Sequence, residues 1–492
     1  MPGIYGGDDI SAIVVDPGSS SLRAGWAGED TPRALIPSYY GWMPASDEEL
    51  QMQIGSRSEA AANGDAMEGV ETADGGAVEG ENGETKEPGE AAVKKAGPSD
   101  WEVQKLKSES RKRFVGDSGV NIWRPDMEIG NPFEDGILTS SASLLALTRF
   151  ALADSMGAET SEHPLLLTEP SWNTREAREE LTEMAFEGLN VPAFYLANST
   201  VLSSFSAGKP TALIVDVGAS HSSAIPVVDG FVLRKGIQRQ AGVGGDAVSR
   251  ALLYDLKHSP AGSSRVGGPV DIVPQYLVKS KVPVQAGHTA VAKLREERKA
   301  STPESLHKYY EMRTLHDAKE SLSMVLDLPW DEQQALSRPS RLYEFPNGYN
   351  DTFGIERYRA SELLFTPQIW NGVEGVLPPA PSTQPFKPIS EMIIDAIAAT
   401  DVDSRATLLQ NVVVVGGGAS MPRFNDRLSW DLGLRAAGQK IKVHSPGNQV
   451  ERRFSSWLGG SILASLGTFH QLWISKQEYD EHGSAVVHAR CR

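Results

Sequence analysis

Cysteine is nearly absent from this 492-residue chain: Cys491 is its single copy, so no disulfide can form within the chain. Such scarcity favours a reducing compartment. No uninterrupted apolar run reaches the roughly 18 residues that a transmembrane helix requires, and the first residues lack the basic segment and apolar core of a secretory signal. We therefore expect neither a membrane span nor a signal peptide.

Several short motifs are also missing. The sequence has no CxxC pair, no HExxH and neither GxxxxGKS nor GxxxxGKT. These absences argue against a cysteine-rich zinc module, a zincin-type protease and a P-loop nucleotidase.

Basic residues are in the minority. The chain has 47 Lys and Arg against 64 Asp and Glu, which gives a net charge of −17. This balance argues against direct binding to the phosphate backbone of nucleic acid. It fits basic partners, or simply solubility. The length is sufficient for two or more domains.

The stretch from Met43 to Asp100 contains almost no aromatic residues and is rich in Glu, Ala and Gly. Such a segment cannot bury enough apolar surface to offset the entropy of ordering it. The composition therefore predicts a disordered insertion over residues 45–98, within a folded domain. Two interpretations remain open: a solvated insertion without a binding role, or an acidic arm that binds histones and other basic partners.

Two stretches share a pattern: Ala12–Gly25, AIVVDPGSSSLRAG, and Ala212–Ser223, ALIVDVGASHSS. Each begins as a β-branched apolar run that predicts a buried strand, and each ends in an Asp followed by a Gly and Ser turn. Two such loops, facing one another, are suited to hold a polyphosphate, with a carboxylate at each strand end for a hydrated cation. The alternative is two unrelated strands that end in ordinary turns.

A third glycine turn, Gly416–Gly418, follows the predicted strand Asn411–Val415 and precedes a helix. A strand, a glycine turn and a helix in this order can place the helix N-terminus and the glycine backbone against a ligand. The alternative is a tight connection between strand and helix with no ligand. Leu377–Pro388 carries five prolines and predicts a surface insertion or linker. Thr174 is a plausible N-cap for a helix over Thr174–Gly188. Residues 247–365 read as mainly helical with loops.

The last residues give a closer identification. Glu451–Arg492 reads ERRFSSWLGGSILASLGTFHQLWISKQEYDEHGSAVVHARCR, which closely resembles the C-terminal segment of actin. Further stretches that resemble actin are residues 16–38, 163–187, 214–230, 317–322 and 401–428. Apart from the acidic insertion and the Pro-rich stretch, nearly the whole chain is covered. The sequence is thus identified as a member of the actin family.

The resemblance implies an α/β fold: the actin-like ATPase fold, with two duplicated α/β domains and a nucleotide cleft between them. The acidic insertion falls where actin has its small mobile subdomain, which indicates an actin-related protein rather than actin. The implied divisions are an outer core of residues 1–37, 118–206 and 455–492, a small outer subdomain of residues 38–117, an inner core of residues 207–242 and 372–454, and a small inner subdomain of residues 243–371.

The resemblance also implies a nucleotide site. Asp16 and Asp216 would hold the water shell of a magnesium ion, and the two loops would face the β- and γ-phosphates of ATP. The implied nucleotide-binding residues are Asp16, Gly18, Ser19, Ser20, Ser21, Leu22, Arg23, Asp216, Gly218, Ala219, Ser220, His221, Gly244, Lys319, Glu320, Gly416, Gly417, Gly418, Met421 and Arg453.

Some positions depart from actin around the nucleotide. Arg23 and Arg453 stand in place of lysines, so each compact ammonium becomes a planar guanidinium. Met421 stands in place of a tyrosine beside the base and loses the stacking face of the ring.

Three further departures concern hydrolysis. Glu183 is predicted to occupy the position of the glutamine that orients the attacking water, and an ionised carboxylate can only accept hydrogen bonds. Ala219 replaces a carboxylate and Ser223 replaces a histidine. Together these changes predict slow or absent turnover.

What the resemblance implies about function is a structural subunit of nuclear chromatin-remodelling and histone-acetyltransferase complexes, with links to transcription and DNA repair. Its implied partners are monomeric actin and a helicase-SANT-associated helix of a remodelling ATPase or an acetyltransferase scaffold. Two alternatives remain open: an active actin-like ATPase that cycles or polymerises, and a histone-binding module whose acidic arm contacts the histones.

Overall fold

The computed structural model describes residues 11–43, 112–379 and 385–491. The predicted insertion over residues 45–98 and the middle of the Pro-rich stretch lie outside these ranges. The chain divides into two compact units, one formed by Met1–Gly41 with Phe114–Arg492 and the other by Trp42–Arg113. The first unit contains the two large sheets and the candidate site.

The strands of the described residues are β1 Ile13–Pro17, β2 Ser21–Trp26, β3 Ala34–Pro37, β4 Tyr40–Met43, β5 Lys112–Phe114, β6 Glu128–Gly130, β7 Phe133–Glu134, β8 Ile137–Leu138, β9 Leu165–Glu169, β10 Ala193–Asn198, β11 Ala212–Val217, β12 His221–Val228, β13 Phe231–Val232, β14 Gln238–Ala241, β15 Val278–Val282, β16 Val291–Leu294, β17 Arg341–Glu344, β18 Asn350–Phe353, β19 Val412–Val415, β20 Val443–His444 and β21 Ile474–Ser475.

The α-helices of the same ranges are α1 Gly116–Asn121, α2 Ser141–Arg149, α3 Arg175–Glu183, α4 Ser199–Ser206, α5 Gly245–His258, α6 Glu296–Ala300, α7 Glu304–Leu322, α8 Glu332–Ser337, α9 Glu356–Glu362, α10 Ile389–Ala398, α11 Val402–Gln410, α12 Phe424–Arg435, α13 Gln449–Arg453, α14 Ser455–Ala464, α15 Lys476–His482 and α16 Val487–Arg490. Wider π-type turns, Phe150–Ser155 and Met184–Gly188, extend α2 and α3.

The two large sheets repeat one arrangement. The first has the order β21-β10-β9-β1-β2-β3, and the second has the order β13-β12-β11-β19-β20 with β14 beside β12. In each, a central hairpin is antiparallel (β1 with β2, β11 with β12) and its first strand runs parallel to a later one (β9 or β19). This repeat confirms the predicted α/β class and its duplication.

Both faces of each sheet are covered, as the apolar runs predict. In β1, Ile13 and Val15 join one buried cluster and Val14 joins another on the opposite face. In β11, Leu213 and Ile214 are divided between two clusters in the same way. Since successive side chains of a strand point to opposite faces, runs without polar residues are needed where both faces are packed.

Two helices join the sheets behind the candidate site. Helix α14 packs closely on α4, and a Cβ at Gly459 would lie 2.6 Å from the carbonyl carbon of Leu202. Trp457 is fully buried and donates its indole N–H to the Val14 carbonyl, 3.1 Å away. These contacts fix the C-terminal helix against the strand that leads into the first loop.

Several local predictions can be compared with the structure. Thr174 caps α3 as predicted, accepting a hydrogen bond from the Ala177 N–H at 3.1 Å. The prediction that residues 247–365 are mainly helical is only partly confirmed, because β15 to β18 lie within this range. No helix among the described residues is both long enough and apolar enough to cross a bilayer.

Candidate functional site

The two glycine loops have matching backbone geometry. Gly18 donates its N–H to the Ser21 carbonyl at 3.1 Å, and Gly218 donates to the His221 carbonyl at 3.0 Å. Each bond closes a hairpin turn immediately after the strand that carries an aspartate. The predicted pairing of the loops is thus present in the structure, and their hydroxyls meet: Ser19 Oγ and Ser220 Oγ lie 2.8 Å apart.

A cavity of about 580 Å³ opens between the loops. The residues named from the sequence that line it are Gly18, Ser19, Ser20, Ser21, Arg23, Asp216, Gly218, Ala219, His221, Lys319, Glu320, Gly416, Gly417, Gly418, Met421 and Arg453. Four others, Asp16, Leu22, Ser220 and Gly244, are not among the lining residues. The cavity has the size of a typical small-molecule pocket.

The Asp16 carboxylate accepts hydrogen bonds at both of its oxygens. Its Oδ2 accepts from Arg23 Nη1 at 2.9 Å and from Ser456 Oγ at 2.8 Å, while its Oδ1 accepts from Thr168 Oγ1 at 2.5 Å. The residue is 4% exposed. The ion pair follows from the hairpin register, which sets Asp16 directly opposite Arg23.

Asp216 faces the cavity more openly, with 39% of its side chain exposed. Although the carboxyl opens to the cavity, desolvation by the protein around it raises its pKa to about 6; Arg23 acts against this rise and Asp16 adds to it. Its neighbour His221 has its Nε2 4.0 Å from Asp216 Oδ2. Burial lowers the pKa of His221 to about 4, and the charge of Arg239 adds to this effect. His221 is therefore neutral at pH 7.

Gly244 and Gly245 allow helix α5 to start against the second loop. The Gly245 N–H donates to the Gly218 carbonyl and the Asp246 N–H to the Ala219 carbonyl, both at 2.9 Å. A Cβ at Gly244 would come within 2.6 Å of the Ala219 carbonyl oxygen. Side chains are thus excluded here by close backbone approach.

Lys319 reaches the same turn from α7. Its Nζ donates to the Gly245 carbonyl at 2.8 Å in a buried setting. Burial lowers the pKa of this ammonium, although Asp246 and Glu320 act in the opposite direction. The neighbouring Glu320 pairs with His316 at 3.0 Å.

The third glycine turn closes the cavity on its other side. Gly416 has a φ of +90°, and a Cβ there would lie within 2.3 Å of Asp216 Oδ1. Its N–H donates to the Arg452 carbonyl at 3.0 Å, which ties the turn to α13. The guanidinium carbons of Arg23 and Arg453 each lie 5.6 Å from the centre of the Phe454 ring.

The prediction for Glu183 is not supported by its position. Glu183 is the last residue of α3, lies outside the cavity lining and accepts a hydrogen bond from Ser484 Oγ at 2.9 Å on the exposed side. The reason is topological: α3 packs beside the C-terminal residues, whereas the next helix, α4, begins at the cavity with Ser199 and Thr200. Ser223, another of the three substituted positions, is 2% exposed within β12 and also lies outside the lining, whereas Ala219 lines it.

Some cavity residues were missed from the sequence. They are Ser199, Thr200, Ser203, Asp246, His316, Ser323, Gln449, Val450, Arg452, Phe454, Ser455 and Ser456. Several of them lie in the first turn of a helix: Ser199 and Thr200 in α4, Asp246 in α5, Gln449 and Val450 in α13, and Ser455 and Ser456 in α14. Asn198, for example, ends β10 and caps α4 by accepting from the Thr200 N–H at 3.0 Å.

The donors present fit an anionic ligand. Among the described residues, Ser21 Oγ, Arg23 Nε, Ser323 Oγ and Arg452 Nε are buried without a hydrogen-bond partner, and all four residues line the cavity. Guanidinium groups are well matched to phosphate oxygens. For a magnesium ion the fit is one-sided: Asp216 faces the cavity, whereas both oxygens of Asp16 are engaged by neighbours. The described residues contain no cluster of three or more His, Cys, Asp or Glu able to hold a metal directly.

Comparison with known proteins agrees with this geometry. The family model described as Actin matches residues 7–492. A protein named actin-related protein 4 from Mycosarcoma maydis is 48% identical over 545 residues, covering 100% of both chains. Proteins of the same name from Emericella nidulans and Schizosaccharomyces pombe are 38% and 34% identical; each match covers 99% of this chain, and 98% and 99% of those proteins respectively. On this evidence, and with two repeated sheets meeting at paired glycine loops, the chain belongs to the actin family.

Proposed function

We propose that the cleft binds ATP as a structural ligand, with little or no hydrolysis, and that the chain serves as a nuclear subunit of chromatin-remodelling and histone-acetyltransferase complexes. The observation that carries the first part is the pair of matched loops, joined at Ser19 and Ser220, around a cavity of about 580 Å³. A ligand that contacts both sheets stabilises the folded chain by mass action.

The chain's own residues have distinct roles in this proposal. The loop backbones around Gly18 and Gly218 face the phosphates, while Lys319 and Met421 contact the nucleoside end. A magnesium ion, when bound, neutralises phosphate charge, and Asp216 is the carboxylate open to its water shell. Arg453 adds a fixed positive charge beside Phe454.

Weak hydrolysis is supported by the side chains around the second loop. Ala219 presents only a methyl group to the cavity. Glu183 lies outside the lining, so the proposal of weak hydrolysis does not depend on it. Glu320, a carboxylate that also lines the cavity, is already engaged by His316 at 3.0 Å. Positioning of the attacking water normally contributes orders of magnitude to phosphoryl transfer, so its loss leaves binding without efficient turnover.

Thermal unfolding of the nucleotide-stripped protein with and without ATP tests the binding claim. At a free concentration of ATP about 100 times its Kd, linkage predicts about 2.7 kcal/mol of added stability. No shift at saturating ATP would contradict binding. Prompt release of phosphate in a single-turnover assay would instead favour the active ATPase that cycles or polymerises.

The assembly claim concerns monomeric actin and a helicase-SANT-associated helix. It is supported by apolar side chains exposed at and beyond the end of α14: Ile462, Leu466 and Leu472 are 37%, 41% and 44% exposed. Co-purification of the full chain with actin and such a helix tests it. Leu466→Asp should reduce recovery of the helix, whereas Leu342→Asp, a 61% exposed position elsewhere, should not. Equal recovery from both variants would contradict this placement.

Histone contact through the acidic segment is a separate proposal. Its support is the acidic composition of residues 45–98. These residues lie outside the described part of the chain, so no contact of theirs enters the argument. Deleting residues 45–98 should lower affinity for core histones, and unchanged affinity would exclude the arm.

A further inference from the structure

We propose that Arg23 supplies the positive charge needed at the phosphate end of the cleft, so that nucleoside triphosphate binding does not depend on a divalent cation. This inference rests on the proposed function and concerns the metal requirement of the same site. It is carried by the buried contacts of Asp16, by the position of Arg23 and by a second guanidinium nearby.

Asp16 is already bonded by three protein groups. Its two oxygens accept three hydrogen bonds, from Arg23 Nη1 at 2.9 Å, Ser456 Oγ at 2.8 Å and Thr168 Oγ1 at 2.5 Å. An ionised carboxylate has about four acceptor positions, so the water shell of a cation would find at most one of them free unless the buried pair with Arg23 were broken. Breaking a buried pair leaves an uncompensated charge, which is costly. Asp16 therefore serves Arg23 rather than a metal.

Arg23 is held in place with donors to spare. Its side chain is 15% exposed, and Nη1 is directed to Asp16 by the β1–β2 register. Its Nε is buried without a partner, although the residue lines the cavity. A guanidinium has five N–H donors in a planar fork, so one bond to a carboxylate leaves others for phosphate oxygens.

The guanidinium also lies against the phosphate-facing backbone. A Cβ placed on Gly18 would be 3.1 Å from Arg23 Nη1, which shows how closely the group approaches the first loop. Phe454 lies beside it, with its ring centre 5.6 Å from Arg23 Cζ. Ion pair, ring and loop together fix the charge where a triphosphate would enter.

Arg453 adds a second fixed cation. Its Cζ lies 5.6 Å from the same Phe454 ring, and it also lines the cavity. Burial lowers the pKa of Arg453 and the charge of the nearby Arg23 adds to this effect, while Glu320 acts in the opposite direction. Electrostatic attraction to a polyphosphate would relieve this repulsion.

The test is equilibrium dialysis of radiolabelled ATP against the full-length, nucleotide-stripped chain, in buffer with magnesium and in buffer with EDTA. For the wild type we expect the two Kd values to agree within about threefold, because the protein supplies the neutralising charge. Arg23→Met frees Asp16 for a cation and should raise the ratio of the EDTA to the magnesium Kd to at least about tenfold.

Arg453→Met is the matched control, since it removes a cavity cation that has no contact with Asp16. It should weaken ATP binding in both buffers and leave the ratio near that of the wild type. If both variants raise the ratio equally, the Arg23–Asp16 pair has no special part and the inference is wrong.

The wild-type ratio decides the question even if Arg23→Met fails to fold. A wild-type protein that binds ATP only with magnesium overturns the inference and leaves the proposed function standing. A wild-type protein that binds ATP in neither buffer overturns the proposed function itself.

Discussion

The hydroxyl oxygens of Ser19 and Ser220 lie 2.8 Å apart, although 201 residues separate them in the chain. They belong to the two glycine loops, and their contact joins the first sheet to the second at the edge of the cavity. Asn131 supports the first loop by donating its amide N–H to the Ser19 carbonyl at 2.8 Å. The distance between the two hydroxyl oxygens therefore measures how closely the two glycine loops approach each other.

A paired cysteine variant tests this approach. Ser19→Cys with Ser220→Cys should form a disulfide on oxidation, since atoms that lie 2.8 Å apart must approach by less than about 1 Å to reach the S–S bond length of about 2.0 Å. The native Cys491 is 1% exposed and should not compete. Non-reducing electrophoresis detects the bridge. In the chain-entropy model, closing so long a loop adds up to about 5 kcal/mol of stability over the reduced form.

The single variant Ser19→Cys is the control for that experiment and should remain reduced under the same oxidant. If the double variant folds but never forms the bridge, the two loops do not approach as closely as the 2.8 Å distance between the hydroxyl oxygens indicates.

Gly244→Ala tests the backbone cradle. The added Cβ would meet three backbone atoms of the second loop, the Ala219 and Gly218 carbonyl oxygens at 2.6 and 2.7 Å and the His221 nitrogen at 2.9 Å. Backbone cannot move aside as a side chain can, so we expect a loss of about 1–3 kcal/mol and weaker ATP binding. Urea unfolding measures the first effect and dialysis the second.

Gly417→Ala is the matched control for stability, because a Cβ at that glycine meets no heavy atom within 4 Å. Its unfolding midpoint should stay near that of the wild type. Equal losses in both variants would mean that the close approach at Gly244 is not what requires glycine.

The two titrating neighbours in the second loop should have opposite effects on the pH dependence of stability. The pKa of Asp216 is raised to about 6, so the folded chain holds this proton more tightly than the unfolded chain, and the associated stability is lost as pH rises from about 4 to 6. The pKa of His221 is lowered to about 4, so the unfolded chain binds the proton more tightly and stability rises over pH 4 to 6.5.

Single variants separate these effects. Relative to the wild type, Asp216→Asn should become more stable as pH rises from 4 to 6, and His221→Asn should become less stable, by up to about 3 kcal/mol for the histidine. Urea unfolding of nucleotide-free protein at several pH values is the measurement, with the exposed His470→Asn as the control. Parallel curves for all four proteins would show that neither pKa is shifted on folding.

A buried ion pair between α9 and α12 sets a larger stability effect. Arg427 holds both oxygens of Glu362, at 2.7 and 2.9 Å, and the two side chains are 2% and 0% exposed. Arg427→Met should cost about 3–5 kcal/mol, because it leaves the carboxylate buried without its partner. Arg423→Met, which removes a half-exposed pair with Asp327, should cost under about 1 kcal/mol. Similar losses in urea unfolding would contradict this ranking.

The central strands and the loops could be predicted because their causes are local. An apolar run without polar interruption fits a strand packed on both faces, and a glycine after an aspartate permits the tight turn that follows. The pairing of Asp16 with Arg23 had a local cause as well, since a short hairpin sets residues on its two strands opposite one another. Arg23 was predicted only as a nucleotide-binding residue, so this pairing was not among the predictions.

Glu183 shows where such reasoning stops. Helical periodicity gives the buried face of α3, but it does not say which end of the sheet that helix approaches. The helix packs beside the C-terminal residues, where Glu183 bonds to Ser484, and a different helix reaches the cavity. Strands β15 to β18 were missed for another reason: they are short, and β15 and β17 are largely exposed, so no clear apolar alternation marks them.

The most direct measurement of the central claim follows the fate of bound nucleotide. The nucleotide-stripped chain is loaded with ATP labelled at the γ-phosphate, separated from free ligand, incubated at pH 7, and its bound nucleotide extracted and separated by chromatography. We predict that the label is recovered in ATP at one nucleotide per chain, with no free phosphate accumulating over hours. Recovery of ADP and labelled phosphate within minutes would contradict a cleft that binds ATP as a structural ligand.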